Sequence, residues 1–252
     1  MRAWGMTDVG LRRHENQDTY AFEAFGLPDT VVAVVCDGMG GVRGGQVASA
    51  LAVSTFMEEL HKLAHVDMTV EQVRERASFC VSRANAAVYE RAIEDAQYYG
   101  MGTTLVSAVA SPDVAVVCNV GDSRAYHIGA DGITRVTRDH SVVEEMIEAG
   151  NITPEQARTH PNRNLITRAL GPDKNTICDV FVIPLAEGDS LLLCTDGLIV
   201  TAEDDELLEI MRGEPDGAAA LDRLLELAKS RGAPDNVTAV LIRTEQEVGQ
   251  VG

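Results

Sequence analysis

The sequence predicts an α+β fold in which antiparallel sheets pack on each other and are covered by pairs of helices. Three observations lead there. The strand-like runs are short, β-branched and apolar on both alternating sets of positions, as in Thr30-Val-Val-Ala-Val-Val-Cys-Asp37, which fits strands buried on both faces. The helix-period stretches come two at a time between sets of strands, which argues against alternating βαβ units and a parallel doubly wound sheet. No internal repeat, low-complexity tract or Pro/Ser-rich linker interrupts the chain, so residues 1–252 are expected to form one domain.

After the Thr30–Asp37 strand stops at Asp37-Gly-Met-Gly-Gly41, apolar residues recur at helical spacing from Gln46 to Leu63 (Val47, Leu51, Phe56, Leu60, Leu63). Thr69-Val-Glu-Gln72 has the form of a capping box and opens a long helix through Val73, Ala77, Val81, Val88 and Ala92. Beyond Gly100-Met-Gly-Thr-Thr104 a meander of strands is expected: Leu105 to Ala110, Val114 to Val120, Ala125 to Ile128 and Ile133 to Thr137, joined by turns at Ser111-Pro-Asp113 and Ala130-Asp-Gly132. Two short helices follow, Val142 to Ala149 and Pro154 to Thr159, the second with Thr153 as N-cap and Pro154 at its first position. Strands Ile177 to Ile183 and Ser190 to Thr195, helices Asp204 to Met211 and Ala218 to Lys229, and a last strand Val237 to Arg243 complete the pattern. The acidic run Glu203-Asp-Asp-Glu206 complements the dipole at a helix start.

Charge narrows the partners. With 21 Lys+Arg against 39 Asp+Glu the net charge is -18, which argues against nucleic acid, whose phosphate backbone calls for a surplus of cations. No stretch nears the ~20 apolar residues that span a bilayer, and residues 1–10 lack the basic start and apolar core of a signal peptide. Five cysteines, an odd number lying mostly in apolar runs, fit small buried hydrophobes in a reducing compartment. A cytoplasmic, monomeric protein with no membrane partner is expected.

The chemistry lies in aspartates placed where apolar strands stop: Cys36-Asp37-Gly38, Gly121-Asp122-Ser123 and Thr195-Asp196-Gly197, with Asp235 just before the last strand. A carboxylate partly removed from water needs a counter-charge. Basic neighbours are scarce: Arg124 follows Asp122, and the basic residue nearest Asp37 is Arg43, six positions on. An all-oxygen ligand set points to a hard cation, Mg²⁺ or Mn²⁺, and away from zinc. A single Asp-Gly after a strand is ordinarily just a turn; it is the repetition of the pattern that suggests a site.

In their order along the chain, Thr7-Asp-Val-Gly10 with Arg13 and Asn16-Gln-Asp18, Asp37-Gly-Met-Gly-Gly41, Gly102-Thr-Thr104, Asn119-Val-Gly-Asp-Ser-Arg-Ala-Tyr126, Asp139-His-Ser141, Asn164-Leu-Ile-Thr-Arg-Ala-Leu-Gly171, Cys194-Thr-Asp-Gly-Leu198 and Asp235-Asn236 resemble the bacterial branch of the metal-dependent protein Ser/Thr phosphatases of type 2C. That resemblance implies a four-layer α/β/β/α sandwich and a dinuclear Mg²⁺ or Mn²⁺ centre at one edge of the sheets. It implies that Asp37 bridges two ions, that the Gly38 carbonyl binds the second, that Asp196 and Asp235 complete the first, and that Asp122 with Asp196 holds a third, weaker ion. Asp18 would hydrogen-bond metal-bound water and Arg13 would clamp the substrate phosphate. The implied reaction is hydrolysis of phosphoserine and phosphothreonine in phosphorylated proteins by activated water, without a phosphoenzyme. The implied biological counterpart is a eukaryote-like Ser/Thr kinase and its substrates.

Met39 stands where eukaryotic relatives carry a His, and Val42 where many bacterial members do. The acid for the leaving alcohol is then metal-bound water first and His140 second, although a lone His in Asp-His-Ser is more often structural; His14 is expected on the surface, and Arg124 paired with a carboxylate or capping the loop. Residues 140–171 match the variable flap beside the active site. Two other readings are a narrow enzyme of the same fold acting on one phosphorylated anti-sigma-factor-antagonist-like regulator, and a binding module that keeps the metal site without turnover.

Overall fold

The computed structural model describes residues 1–26, 29–63 and 68–244, with the side chains of residues 41–43 outside that set. The position of Val42, and that of Arg43 near Asp37, therefore lie outside the described side chains. One sheet contains β1 (Arg2–Asp8), β7 (Arg124–Gly129), β8 (Gly132–Arg135), β10 (Ser190–Cys194) and β11 (Val237–Arg243), in the order β1-β11-β10-β7-β8. The other contains β2 (Asp18–Phe25), β3 (Thr30–Met39), β5 (Leu105–Ser111), β6 (Val114–Val120) and β9 (Asp179–Pro184), in the order β2-β3-β5-β6-β9, with the two-residue β4 (Gly102–Thr103) pairing the end of β3. Every pairing is antiparallel.

The continuous apolar runs are explained by three stacked cores. In β3, Val32, Val34 and Cys36 face the long helices α1 (Gly41–Leu63) and α2 (Val70–Glu94), while Val31, Ala33 and Val35 face the opposite sheet. In β10, Leu191 and Leu193 enter the layer between the sheets, and Leu192 and Cys194 pack under α5 (Asp196–Ile199), α6 (Asp204–Gly213) and α7 (Gly217–Ser230). A strand covered on both faces has no polar side, so the usual alternation vanishes. The result is the α/β/β/α sandwich that the sequence predicts.

The Thr69–Gln72 capping box forms as expected, and Thr153 is the N-cap of α4 (Pro154–Arg158), just after α3 (Val142–Glu148), where Gln156 adds a reciprocal bond not expected from the sequence. Besides the short β4, two longer strands that the sequence does not predict complete the sheets. Both β1 and β2 lie at sheet edges and leave most of their side chains at least partly exposed, so they lack the unbroken apolar signature of the central strands. Helix α1 also starts earlier than its apolar periodicity, at Gly41, over glycines whose propensity disfavours a helix. Packing accounts for them: a Cβ on Gly45 would stand 2.6 Å from the Gly38 carbonyl oxygen.

Antiparallel pairing puts the starts of β2 and β11 at the same edge as the ends of β3, β6 and β10. Asp18 opposes Asp37 directly in the β2–β3 register. Among the described residues no helix is long and apolar enough to cross a membrane. Leu191→Ala, which opens a cavity between the sheets, is expected to lower unfolding free energy by about 2–5 kcal/mol. Thr69→Ala, which removes one cap, is expected to cost about 1 kcal/mol. Urea denaturation of the two variants checks the ranking.

Candidate metal centre

At the shared edge the strand ends surround an open cleft of about 700 Å³, lined by Asp37, Gly38, Asp122, Asp196, Asp235 and Arg13 among others. All five residues expected to hold metal are therefore brought together, and Asp18 lies buried beneath them, 7% exposed. Among the described residues the side chains do not close into a ready-made cage of three or more His, Cys, Asp or Glu. Fit to a cation rests instead on the donor chemistry and on two orphaned oxygens: Asp18 Oδ1 and Asp196 Oδ1 are both buried without a hydrogen-bond partner. A buried carboxylate oxygen in that state calls for a counter-charge, and oxygen-only donors suit a hard one.

Local hydrogen bonds fix the backbone at Asp37 and the carboxylate of Asp18. The Asp37 amide donates to Thr104 Oγ1 at 2.9 Å, while its carbonyl accepts from the Thr104 amide at 2.9 Å and from Thr103 Oγ1 at 2.8 Å. Thr104 Oγ1 meets Ser123 Oγ at 2.7 Å, which ties the Asp37 strand end to the residue after Asp122. Thr195 Oγ1, from the opposite sheet, donates to Asp18 Oδ2 at 2.9 Å. Both Asp-Gly pairs need the glycine for close approach: a Cβ on Gly38 would stand 2.0 Å from the Gly45 carbonyl oxygen, and one on Gly197 1.9 Å from that of Asn236. Asn236 was not assigned a role from sequence, yet its amide group donates to the carbonyls of Val9 and Glu15 and accepts from the Gln17 amide. It staples the loop that carries Arg13 to the strand start that carries Asp235. Its placement directly after Asp235 was the available signal.

Burial and mutual repulsion raise the carboxyl pKa values in the cation-free chain. Asp18 is pushed up to about 7, by burial first and then by Asp196 and Asp235. Asp122 goes to about 8, by burial, Asp196 and Asp139, and Asp196 to about 6, by burial and Asp235. Asp37 is also raised well above its ordinary value, by burial and then by Asp18 and Asp196. Arg13, 55% exposed at its side chain, donates a single N–H to Asp235 Oδ2 at 2.7 Å. Met39 and His14 line the cleft. Arg124 pairs with Asp139 through Nε and Nη2 as expected, and its Nη1 donates to the Tyr126 hydroxyl. His140 is structural rather than the leaving-group acid: it is 3% exposed, is not among the cleft residues and is engaged at both ring nitrogens behind the Asp122 loop, so it does not meet a leaving alcohol.

The architecture and its cleft are those of the bacterial serine/threonine phosphatases. The backbone superposes on Stp1 from Staphylococcus aureus with a TM-score of 0.89 at 35% identity, covering 97% of this chain and 95% of that one. It superposes on the catalytic domain of the phosphatase PstP, solved with two manganese ions, with a TM-score of 0.83 at 31% identity, covering 95% of this chain and 96% of that one. The serine/threonine phosphatase stp of Listeria monocytogenes is 35% identical over 253 residues, spanning 100% of this chain and 98% of its own. The chain belongs to the protein phosphatase 2C family, whose model matches residues 12–241, and it is a protein-serine/threonine phosphatase.

An aspartate whose folded pKa exceeds its ordinary 3.8 keeps a proton that the unfolded chain has released, so stability falls as pH rises from about 4 through 8. Thermal melts in EDTA are expected to show a falling Tm across that window, and Mn²⁺ or Mg²⁺ at pH 8 is expected to restore it. A flat profile without cations would contradict the buried-repulsion account.

Proposed function

We propose that the chain hydrolyses phosphoserine and phosphothreonine monoesters with Mg²⁺ or Mn²⁺, two ions in a core site and a third more weakly held. The single observation that carries this reading is the convergence of Asp37, Asp122, Asp196 and Asp235 on one cleft above the buried, half-satisfied Asp18. Asp37, the Gly38 carbonyl, Asp196 and Asp235 would hold the core ions, and Asp122 with Asp196 the third. When bound, such ions supply Lewis acidity, lower the pKa of water and offset charge on the phosphoryl oxygens.

The chain's own residues supply the rest. Arg13 at the cleft mouth offers a planar fork of N–H donors suited to phosphate oxygens. Asp18, held by Thr195, would accept a hydrogen bond from water on the ions above it. Direct attack by water rather than through a phosphoenzyme is supported by the state of the internal nucleophiles. The Thr104 hydroxyl is spent on the Asp37 amide and Ser123. Cys194 is fully buried, with its thiol pushed up to about 12 by burial. In a protein of charge -18 the positive field that draws a phosphorylated segment must be local, and Arg12 and Arg13 on the cleft wall provide it. Residues 1–252 act as one phosphatase domain with 140–171 as the flap. The partners are phosphorylated proteins, among them a eukaryote-like Ser/Thr kinase and its substrates, and the protein works as a cytoplasmic signalling monomer.

Turnover of p-nitrophenyl phosphate and a phosphothreonine peptide is expected to require Mn²⁺ or Mg²⁺, to vanish in EDTA, and to fall at least about 100-fold in Asp37→Asn, the scale of losing a preorganised electrostatic group. Cation-independent turnover that survives Asp37→Asn would place the chemistry elsewhere. Folded protein without turnover on either substrate would favour a binding module.

A further inference from the structure

His140 lies behind the cleft, and its contacts give it a task that the cation-binding reading does not include. Its main-chain N–H donates to the Gly121 carbonyl at 2.9 Å, and its ring Nδ1 accepts from the Gly121 amide at 3.1 Å. One residue thus holds both polar groups of Gly121, the residue before Asp122. An amide N–H can only donate, so Nδ1 carries the lone pair and the ring proton sits on Nε2. Nε2 stands 3.1 Å from Asp179 Oδ2, which accepts that proton's hydrogen bond. Arg168 donates from Nη1 to Asp179 Oδ1 at 2.9 Å and so orients the carboxylate for the ring; the same nitrogen lies 3.1 Å from His140 Nε2, a contact and not a hydrogen bond, since both nitrogens carry protons.

Gly121 has a φ of +107°, a backbone that side-chain-bearing residues rarely adopt, and a Cβ there would stand 2.6 Å from Thr104 Cγ2. The turn that aims Asp122 is therefore tight and set by few contacts. Two of its hydrogen bonds come from His140; a third, at 3.3 Å, comes from Asn119 Nδ2. The same histidine gathers both ends of the flap, for its carbonyl accepts from the Thr167 amide at 2.7 Å and Arg168 adjoins Thr167.

We propose that His140, oriented by Asp179 and Arg168, is a positioning residue that fixes the Gly121 turn and thereby the Asp122 carboxylate, and that it ties the flap to the weakest cation position. This rests on the reading of Asp122 as a cation ligand. The tight core ions, held by Asp37, Asp196 and Asp235, are outside its reach.

Two substitutions separate the ring's hydrogen bonds to Gly121 and Asp179. His140→Asn keeps an acceptor near the place of Nδ1, facing the Gly121 amide; His140→Gln keeps a donor near the place of Nε2, facing Asp179, and loses that acceptor. Mn²⁺ binding to the full chain is measured by titration calorimetry, alongside kcat and KM on a phosphothreonine peptide and the melting temperature. His140→Gln is expected to weaken the weakest Mn²⁺ site and lower kcat about five- to tenfold, the worth of one buried hydrogen bond, with the tight sites and KM unchanged. His140→Asn is expected to stay within about threefold of wild type, since it retains that bond. A folded His140→Gln with wild-type weak-site affinity, or equal damage in both variants, overturns the proposal. If His140→Gln does not fold, Asp179→Asn replaces it, with a smaller loss at the same site expected and an unchanged site overturning the proposal. Asp122→Asn serves as reference. If it loses the weak ion while His140→Gln keeps it, the positioning role alone fails; if Asp122→Asn keeps it, the reading of Asp122 fails and the positioning role with it.

Discussion

Repulsion among carboxylates gathered in a partly dehydrated cleft is the constraint that the surrounding structure answers. Asp18, Asp37, Asp122 and Asp196 each have a pKa raised first by burial and then by neighbouring aspartates, Asp196 acting on the other three and Asp235 on Asp196. No amount of apolar packing relieves that cost, which only protons or cations remove. The protein accepts it by fixing the Asp37 strand end through main-chain hydrogen bonds to Thr103 and Thr104, and the Asp18 carboxylate through the Thr195 hydroxyl, rather than through ion pairs. Arg13–Asp235 is an exposed exception, and Arg124 is spent on Asp139 rather than on Asp122.

The anchoring joins the two sheets. The layer between them is otherwise apolar, filled by Val31, Val35, Val106, Val117, Leu191, Leu193 and their neighbours. At the cleft edge a chain of hydroxyls interrupts it: Thr195 bonds Asp18 from the opposite sheet, and Thr238 pairs with Thr7, which accepts from Asn16. Satisfied polar groups at the border of an apolar layer specify one docking of the sheets, because any slip would leave them buried and unpaired.

The flap is attached at the same level. Leu170 exchanges two backbone hydrogen bonds with Thr103, whose hydroxyl donates to the Asp37 carbonyl. Buried Asn85 of α2 accepts from the Gly171 amide and donates to the carbonyls of Asp173 and Lys174. One stem of the flap therefore rests on the support of Asp37 and the other, through His140, on the support of Asp122.

The central strands and the carboxylates were legible in the sequence because both signals are local. A strand covered on two faces is apolar along most of both faces, as in β3, β5, β6, β10 and β11, and an aspartate near its end contrasts sharply with that run. The capping box at Thr69, the N-cap at Thr153 and the pairing of Arg124 with a carboxylate were legible for the same reason. Strands β1 and β2 were not, since an edge strand is defined by its partner more than by its own pattern, and the early start of α1 over glycines follows from its contact with the end of β3. The place of His140 was beyond reach as well: its sequence neighbours do not disclose that Gly121, Asp179 and Arg168, far apart along the chain, meet at one ring. By itself the sequence determined which residues could be buried and which carried charge, because hydropathy and charge belong to each residue alone. Only the tertiary structure decided which charges face one another and what holds them, because antiparallel pairing brings residues as distant as Asp18 and Thr195 within hydrogen-bond reach.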